Sequence, residues 1–262
     1  MIENNSFFRV TFLGTGTSQG VPVIACDCDV CTSENKKDKR LRSSILIEYF
    51  GKNYVIDTGP DFRQQMLREK VQSLEGVLYT HEHKDHLSGM DDVRAFNYKQ
   101  KQDMEIYCDA NVERALHREY YYVFTENKYP GVPAVNINLI DKNPFEIGDM
   151  KVTPVEVLHY KLPVLGFRIE DFTYITDAKT ISAEERDKIR GTKVLVINAL
   201  RRKEHLSHFN LEEALEFIED IKPDKAYLTH ISHLFGKHRD IKKELPENVK
   251  VAYDGLKLIL NG

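Results

Sequence analysis

Three histidines and an aspartate fall within six residues, His81-Glu82-His83-Lys84-Asp85-His86, of a chain with ten histidines in all. Imidazole nitrogens and a carboxylate oxygen suit Zn²⁺, Mn²⁺ or Fe²⁺. The apolar run Gly76-Val77-Leu78-Tyr79 before them reads as a strand ending at Thr80. Side chains alternate along an extended chain, so His81 and His83 point the same way, and a tight turn then brings Asp85 and His86 round. Three more donors stand where apolar strands run out: His159 after Val152 to Leu158, Asp177 after Thr173 to Thr176, and His230 after Ala226 to Thr229. A sheet fixes ligands at its strand ends while the loops stay open to substrate. Each of these three taken alone is an ordinary structural residue; the seven together are enough for two ions.

A second constellation is made of thiols. Cys26-Asp27-Cys28-Asp29-Val30-Cys31 lets one segment wrap a tetrahedral ion, and His233, three residues beyond His230, is well placed as the fourth ligand. A closed Cys₃His site leaves no position for substrate, so this zinc would be structural; the alternative is a loop of free thiols. The fourth cysteine, Cys108, stands apart, and three so close together make no disulfide framework. The expectation is a reduced, cytoplasmic protein.

The elements that must position these residues can be read from periodicity. Val10 to Leu13 reads as a strand ended by the small-residue loop Gly14 to Gly20, which is no P-loop because no Gly-Lys-Ser/Thr follows. Ser44 to Tyr49 and Asn53 to Ile56 form a hairpin about Gly51-Lys52, closed by Asp57-Thr58-Gly59. A helix follows with Phe62, Met66 and Leu67 on one side. Met90 to Tyr98 and Val112 to Phe124 read as helices, with Tyr120, Tyr121 and Tyr122 as packing residues of no assigned role. Met104 to Cys108, Lys151 to Val157, Val164 to Ile169, Phe172 to Ile175, Val194 to Asn198, Lys225 to Leu228 and Val249 to Tyr253 read as strands, and Leu211 to Ile221 as a helix. Hairpin-rich strands interrupted by helices, once in each half, favour two facing sheets with helices outside over a doubly wound parallel sheet. No linker divides the chain, so one domain over residues 1–262 is expected.

Composition sets the outer bounds. The 262 residues are 41% hydrophobic with a net charge of −4, which builds a core and gives no basic field for nucleic acid. Lys36, Lys37, Lys39, Arg40 and Arg42 read as a solvated face. No apolar stretch reaches the ~20 residues of a membrane span, and Met1 to Asn5 lacks the start of a secretion signal.

The chain resembles the metallo-β-lactamase superfamily. Thr80 to His86 matches the signature Thr-His-x-His-x-Asp-His, Asp57 in Val55-Ile56-Asp57-Thr58-Gly59 the earlier acidic motif, and His159, Asp177 and His230 the later ones. The likeness runs from about Phe12 to Gly255. It implies an α/β fold, the four-layer αβ/βα sandwich, with a binuclear site of Zn or Mn. It also implies that His81, His83 and His159 hold one ion, that Asp85, His86 and His230 hold the other, and that Asp177 bridges them. Asp57 would orient the histidine loop.

Gly14-Thr15-Gly16-Thr17-Ser18-Gln19-Gly20-Val21-Pro22, the cysteines after it and Leu228-Thr229-His230-Ile231-Ser232-His233 are similar to the branch that contains the phosphoribosyl cyclic phosphate phosphodiesterase. That likeness implies hydrolysis of a small, anionic phosphodiester, cyclic in the branch's characterised case, by a bridging hydroxide. It puts catalysis on His208, which would bind a phosphate oxygen or protonate the leaving alkoxide, and on Asp85, which doubles as ligand. His205 reads as solvent-facing, and His117 and His238 as surface histidines. Arg201 and Arg202 could touch phosphate but read better as ion-pair partners. The competing readings are a ribonuclease Z-like endonuclease acting on RNA 3′ ends, which would bring a basic arm that this chain lacks, and a hydrolase of another ester class. A metal-stabilised scaffold without activity would have lost ligands, yet every position is filled. Nucleic acid is not favoured as a partner, no membrane is expected, and a homodimer is an open option.

Overall fold

A computed structural model describes residues 8–260; Met1 to Asn5, where a secretion signal would begin, lie outside the described residues. The chain forms two compact units. One comprises the residues to Leu13, Ser44–Asp141 and the residues from Lys257; the other comprises Gly14–Ser43 and Lys142–Leu256.

The first unit is a seven-stranded mixed sheet. Its strands are β1 (Phe8–Gly14), β2 (Ser44–Tyr49), β3 (Lys52–Ile56), β4 (Gly76–Leu78), β5 (Met104–Cys108), β6 (Val135–Leu139) and β14 (Lys257–Leu260), in the order β14-β1-β2-β3-β4-β5-β6. The β2–β3 hairpin is antiparallel, and β3 to β6 run parallel. Parallel neighbours need crossovers, and α1 (Phe62–Glu69), α2 (Lys84–Leu87), α3 (Arg94–Gln100) and α4 (Ala110–Glu119) supply them. Val55, Val77 and Ile106 of the sheet pack with Met66, Phe96 and Leu116 of the helices.

The second unit holds β7 (Phe145–Ile147), β8 (Met150–His159), β9 (Leu162–Ile169), β10 (Phe172–Tyr174), β11 (Val194–Asn198), β12 (Lys225–Thr229) and β13 (Val249–Val251), ordered β13-β12-β11-β10-β9-β8-β7. Strands β7 to β10 are antiparallel and β10 to β13 parallel. Helix α5 spans Ala183–Ile189, α6 Leu211–Ile221 and α7 His238–Ile241. In α6 the 3.6-residue period brings Ala214, Phe217, Ile218 and Ile221 to one buried stripe, set against Leu195, Ile197 and Leu228 of the sheet. Its start is fixed by a capping box, in which Asn210 and Glu213 satisfy each other's backbone N–H groups.

Several expected elements differ in detail. In α1 the buried face is Phe62, Gln65 and Met66, while Leu67, one step of about 100° past Met66, is 61% exposed. Met90 to Tyr98 is a 3₁₀ turn, Met90–Val93, running into α3. Helix α4 ends at Glu119, because Tyr120 leaves helical geometry and sends its hydroxyl to the Leu87 carbonyl, 2.9 Å away. Strand β13 stops at Val251, and the turn after His83 is the one-turn helix α2. Five elements were not anticipated: β6, β7, α5, α7 and β14. The three strands lie at or next to sheet edges and are half exposed, so their hydrophobic alternation is weak; α5 did carry a signal, Ser182 capping the Glu185 N–H.

The basic cluster is not one solvated face. Arg40 is buried, and its guanidinium donates to the Thr15 hydroxyl and the Ala252 carbonyl, both at 2.7 Å. His238 is buried too, its backbone N–H donating to Asp38 at 2.7 Å. Among the described residues no helix is long and apolar enough to cross a membrane.

Candidate metal centre

Most candidate ligands sit just past the carboxyl ends of parallel strands, where α/β sheets bind their ligands; His159 instead ends the antiparallel strand β8. In the first unit Asp57 follows β3 and His81 follows β4. Asp57 is fully buried in left-handed backbone, φ 65°, a conformation that a non-glycine residue holds only when its surroundings enforce it. Its Oδ1 accepts from the Thr80 N–H at 2.8 Å. Its Oδ2 accepts from the Thr80 hydroxyl at 2.9 Å and from His86 Nδ1 at 2.7 Å. Burial pushes the Asp57 carboxyl up, and His86 and Thr80 draw it back.

These bonds fix tautomers. His86 gives its Nδ1 proton to a carboxylate, so its Nε2 carries a lone pair. The Thr80 hydroxyl has a single hydrogen, already donated to Asp57, so it must accept from His81 Nδ1 at 3.0 Å. His81 therefore also presents Nε2 as a donor atom. The rings of His83 and His86 lie 4.6 and 4.2 Å from that of His81, centroid to centroid, and Asp85 Oδ2 is 3.1 Å from His86 Nε2. Gly89 seats this loop: its N–H donates to the Thr58 carbonyl at 2.7 Å, and a Cβ there would run into the Gly59 carbonyl oxygen.

The second unit repeats the device. Asp177 and His230 follow β10 and β12, both in left-handed backbone, φ 56° and 55°. Thr176 donates its hydroxyl hydrogen to Asp177 Oδ2 at 2.6 Å, and so faces His230 Nδ1 as an acceptor at 3.4 Å. His159, the last residue of β8, donates Nδ1–H to the Ser207 carbonyl at 2.9 Å, which again leaves Nε2 as the ligand atom. His230 Nε2 lies 3.3 Å from Asp177 Oδ1. His159, Asp177 and His208 have donor atoms within 4.8 Å of one another.

Sequence reasoning missed Asn198. Its side chain donates to the Ala178 carbonyl and accepts the Ala178 N–H, at 3.0 and 2.7 Å, clamping the residue after Asp177. A polar residue closing an otherwise apolar strand was the available signal. The Phe209 N–H also donates to the Ala178 carbonyl, at 2.8 Å, which draws His208 to Asp177. His208 Nδ1 stands 3.7 Å from Asp177 Oδ1. Burial pushes the His208 imidazole down to about 3; the Asp177 charge opposes this, and the rings of His230, His159 and His205 add to it. His205, expected in solvent, is half-buried with its ring 5.2 Å from that of His208. Arg202 pairs with Glu244 at 2.7 and 2.9 Å, and Arg201 with the Lys203 and Glu204 carbonyls.

Both donor sets fit divalent ions. Ligating imidazoles characteristically give their other N–H to a carboxylate, a carbonyl or another oxygen, and His81, His86, His159 and His230 all do so.

The thiols and His233 come together within the second unit. The Sγ atoms of Cys26, Cys28 and Cys31 lie 3.2, 3.4 and 3.5 Å from His233 Nδ1. A tetrahedral zinc at ordinary bond lengths separates nitrogen from sulfur by about 3.6 Å, so this set fits a single closed ion. A hydrogen bond from the Cys31 backbone draws the Cys28 thiol down, favouring the thiolate, and burial pushes the Cys31 thiol up.

Comparison with known proteins identifies the family and the fold. The sequence profile of the beta-lactamase superfamily domain matches residues 52–231. A Porphyromonas gingivalis protein named octanoyltransferase is 40% identical over 256 residues, which cover 97% of this chain and 52% of the relative; the chain thus spans about half the length of that curated relative. The crystal structure of a diphosphatase from the PhnP family superposes with a TM-score of 0.91 at 35% identity, covering 97% of this chain and 98% of that one. Zn²⁺-bound PqqB from Methylobacterium extorquens, at 19% identity, shares the fold with a TM-score of 0.79 over 96% and 100% of the two chains. The chain belongs to the beta-lactamase superfamily and, within it, to the PhnP family.

Proposed function

We propose that this chain is a metal-dependent hydrolase of small phosphodiesters, with two divalent ions, Zn or Mn, held by His81, His83, Asp85, His86, His159, Asp177 and His230. The observation that carries the reading is the tautomer control just described: in His81, His86, His159 and His230 alike, an oxygen engages Nδ1 and commits Nε2 to a ligand. When bound, such ions acidify water into a nucleophile at neutral pH and neutralise charge on phosphoryl oxygens. A third ion, a structural zinc, belongs to Cys26, Cys28, Cys31 and His233.

The chain's own residues then divide the work. Asp57 and Thr80 hold the histidine loop in register; Thr176 and Asn198 hold Asp177. His208 assists at the phosphate. Because burial keeps its imidazole neutral at physiological pH, it acts as an N–H hydrogen-bond donor to a phosphoryl or departing oxygen rather than as a charged acid, and the leaving alkoxide takes its proton from solvent. A small anionic ester is preferred over long RNA because the net charge of −4 supplies no basic track along a phosphate backbone.

The test is a panel offered to the purified full chain with Mn²⁺ or Zn²⁺: bis(p-nitrophenyl) phosphate, cyclic ribose phosphates, cyclic nucleotides, a tRNA precursor and an octanoyl thioester, the last chosen for the name of the P. gingivalis relative. Turnover of the small diesters, lost with the ions, is expected. Preference for the tRNA precursor or the thioester would replace the substrate class, and metal-loaded protein inert towards every phosphodiester would end the proposal.

A further inference from the structure

Helix α6 treats its two acidic flanks differently. On one, Glu213 pairs with Lys179 at 2.5 Å, and Asp220 with Arg186 and Arg190 at 2.9 and 3.2 Å. On the other, Glu212, Glu216 and Glu219 are exposed and have no ion pair among the described residues. Like charges four apart on a helix repel, so this arrangement works against the helix it sits on.

The unpaired flank borders a groove. A cavity of about 870 Å³ lies along α6, floored by Leu211, Leu215, Ile218, Pro223, Pro246 and Val249. Leu211 and Leu215 are only partly buried, so the apolar stripe of the helix continues from the core into the groove. Basic groups do not balance the rim: Arg202 is held by Glu244, leaving Lys222 against three carboxylates.

We propose that this groove docks a basic amphipathic helix of another protein, with leucine-like residues laid on the floor and lysines or arginines at i, i+4 and i+7 facing Glu212, Glu216 and Glu219. The geometry is that of helix-in-groove recognition. From Leu211 to Lys222 the groove runs about 16 Å at 1.5 Å per residue, room for three turns. Charge complementarity names the occupant: an apolar floor edged by unpaired carboxylates repels an acidic helix and accepts a basic one. A second copy fits less well. Helices α1 and α4, the other two of eight or more residues among the described residues, bury their apolar faces, Phe62 and Met66 in one and Val112 and Leu116 in the other, in their own core.

The test uses the full chain and two labelled fourteen-residue helical peptides with the same leucine face, one with lysines and one with glutamates on its rim, followed by fluorescence anisotropy. The lysine peptide should bind in the micromolar range, at least tenfold more tightly than the glutamate peptide, and more weakly as salt rises. Glu212→Lys/Glu216→Lys/Glu219→Lys should reverse the preference while hydrolysis stays unchanged; these side chains are exposed, so the variant should fold. Leu215→Asp should abolish binding of both peptides. Equal binding of the two, binding of neither, or an unaltered preference in the triple variant would overturn the proposal. So would self-association of the chain that the triple variant abolishes, since a second copy would then be the occupant.

Discussion

The thiol clasp and the imidazole–carboxylate sets use similar donors under opposite rules. In the clasp, Cys26, Cys28, Cys31 and His233 converge on a single point, and three of the four come from one short loop. Their geometry is set mainly by each other and, on the proposed reading, by the zinc they would hold. In the other sets five of the seven ligands have a second residue behind them: Asp57 behind His86, Thr80 behind His81, Ser207 behind His159, Thr176 behind Asp177 and His230. A closed site needs only its ligands, because the ion completes it. A site that must also bind substrate needs ligands oriented beforehand, so that no reorganisation is left for the reaction.

This contrast is broken most severely at Asp177. Asp177→Ala should lose hydrolysis on the order of 10³-fold or more and lose active-site ions, since it removes the one carboxylate that the second unit offers there. Kinetics with bis(p-nitrophenyl) phosphate and metal analysis by inductively coupled plasma would check it; full ion content with normal turnover would remove Asp177 from the site. His208→Ala should lose about 10²–10³-fold in kcat while keeping its ions. If that variant loses metal as well, His208 is a ligand and the division of roles drawn here is wrong.

Which residues could be read from sequence follows from the same contrast. Ligands announce themselves by type and spacing: Thr80 to His86 and Cys26 to Cys31 needed no fold to be noticed. The residues behind them do not. Asn198 looks like any strand-ending polar residue until its two hydrogen bonds to Ala178 are seen. Thr176 gains its role from a hydroxyl with one proton to place. Strands with a continuous apolar run, such as β11 and β12, were legible because both faces are covered; β6 and β7, exposed along an edge, were not. The burial of Arg40 and His238 was hidden too, because local charge pattern says nothing about which loop closes over it.

Intermediate effects belong to the residues behind the ligands. Asp57→Asn keeps the shape but removes the acceptor that orders His86 and Thr80. Metal affinity should fall about 10–100-fold with turnover restored at high metal, as competition with a chelator would measure. An unchanged affinity would mean that Gly89 and the loop packing alone set the histidines. On the other side of the comparison, Cys31→Ser should lower the melting temperature by several degrees and release the structural zinc, with turnover per folded molecule within about twofold of the parent. If turnover collapses while the melting temperature holds, the clasp takes part in catalysis.

The smallest expected effect tests whether the clasp region is held by its metal alone. His238 lies beyond the clasp in the chain, its backbone N–H bound to Asp38 and its ring 5.7 Å from that of Tyr253 in edge-on contact. Burial pushes its imidazole from 6.5 down to about 4; Arg40 and Lys37 add to the push, Asp38 opposes it, and Lys242 contributes weakly. A histidine whose pKa falls on folding is neutral in the native state. Its contribution is therefore complete above the unfolded value and declines as pH falls from 6.5 towards 4, where the unfolded chain binds the proton that the fold resists. At about 1.36 kcal/mol per pH unit, the loss is roughly 3 kcal/mol before solvent screening, and smaller once the ring's partial solvation is counted. A zinc-loaded clasp would also weaken on acidification, because protonated thiols release zinc, so the two causes must be separated. Melting temperatures between pH 7.5 and 4.5 for Cys31→Ser, His238→Asn and the double variant do so. His238→Asn should flatten the acid slope equally in the parent and in the Cys31→Ser background. A slope that vanishes with Cys31→Ser and ignores His238→Asn would show the zinc to be the only acid-labile support.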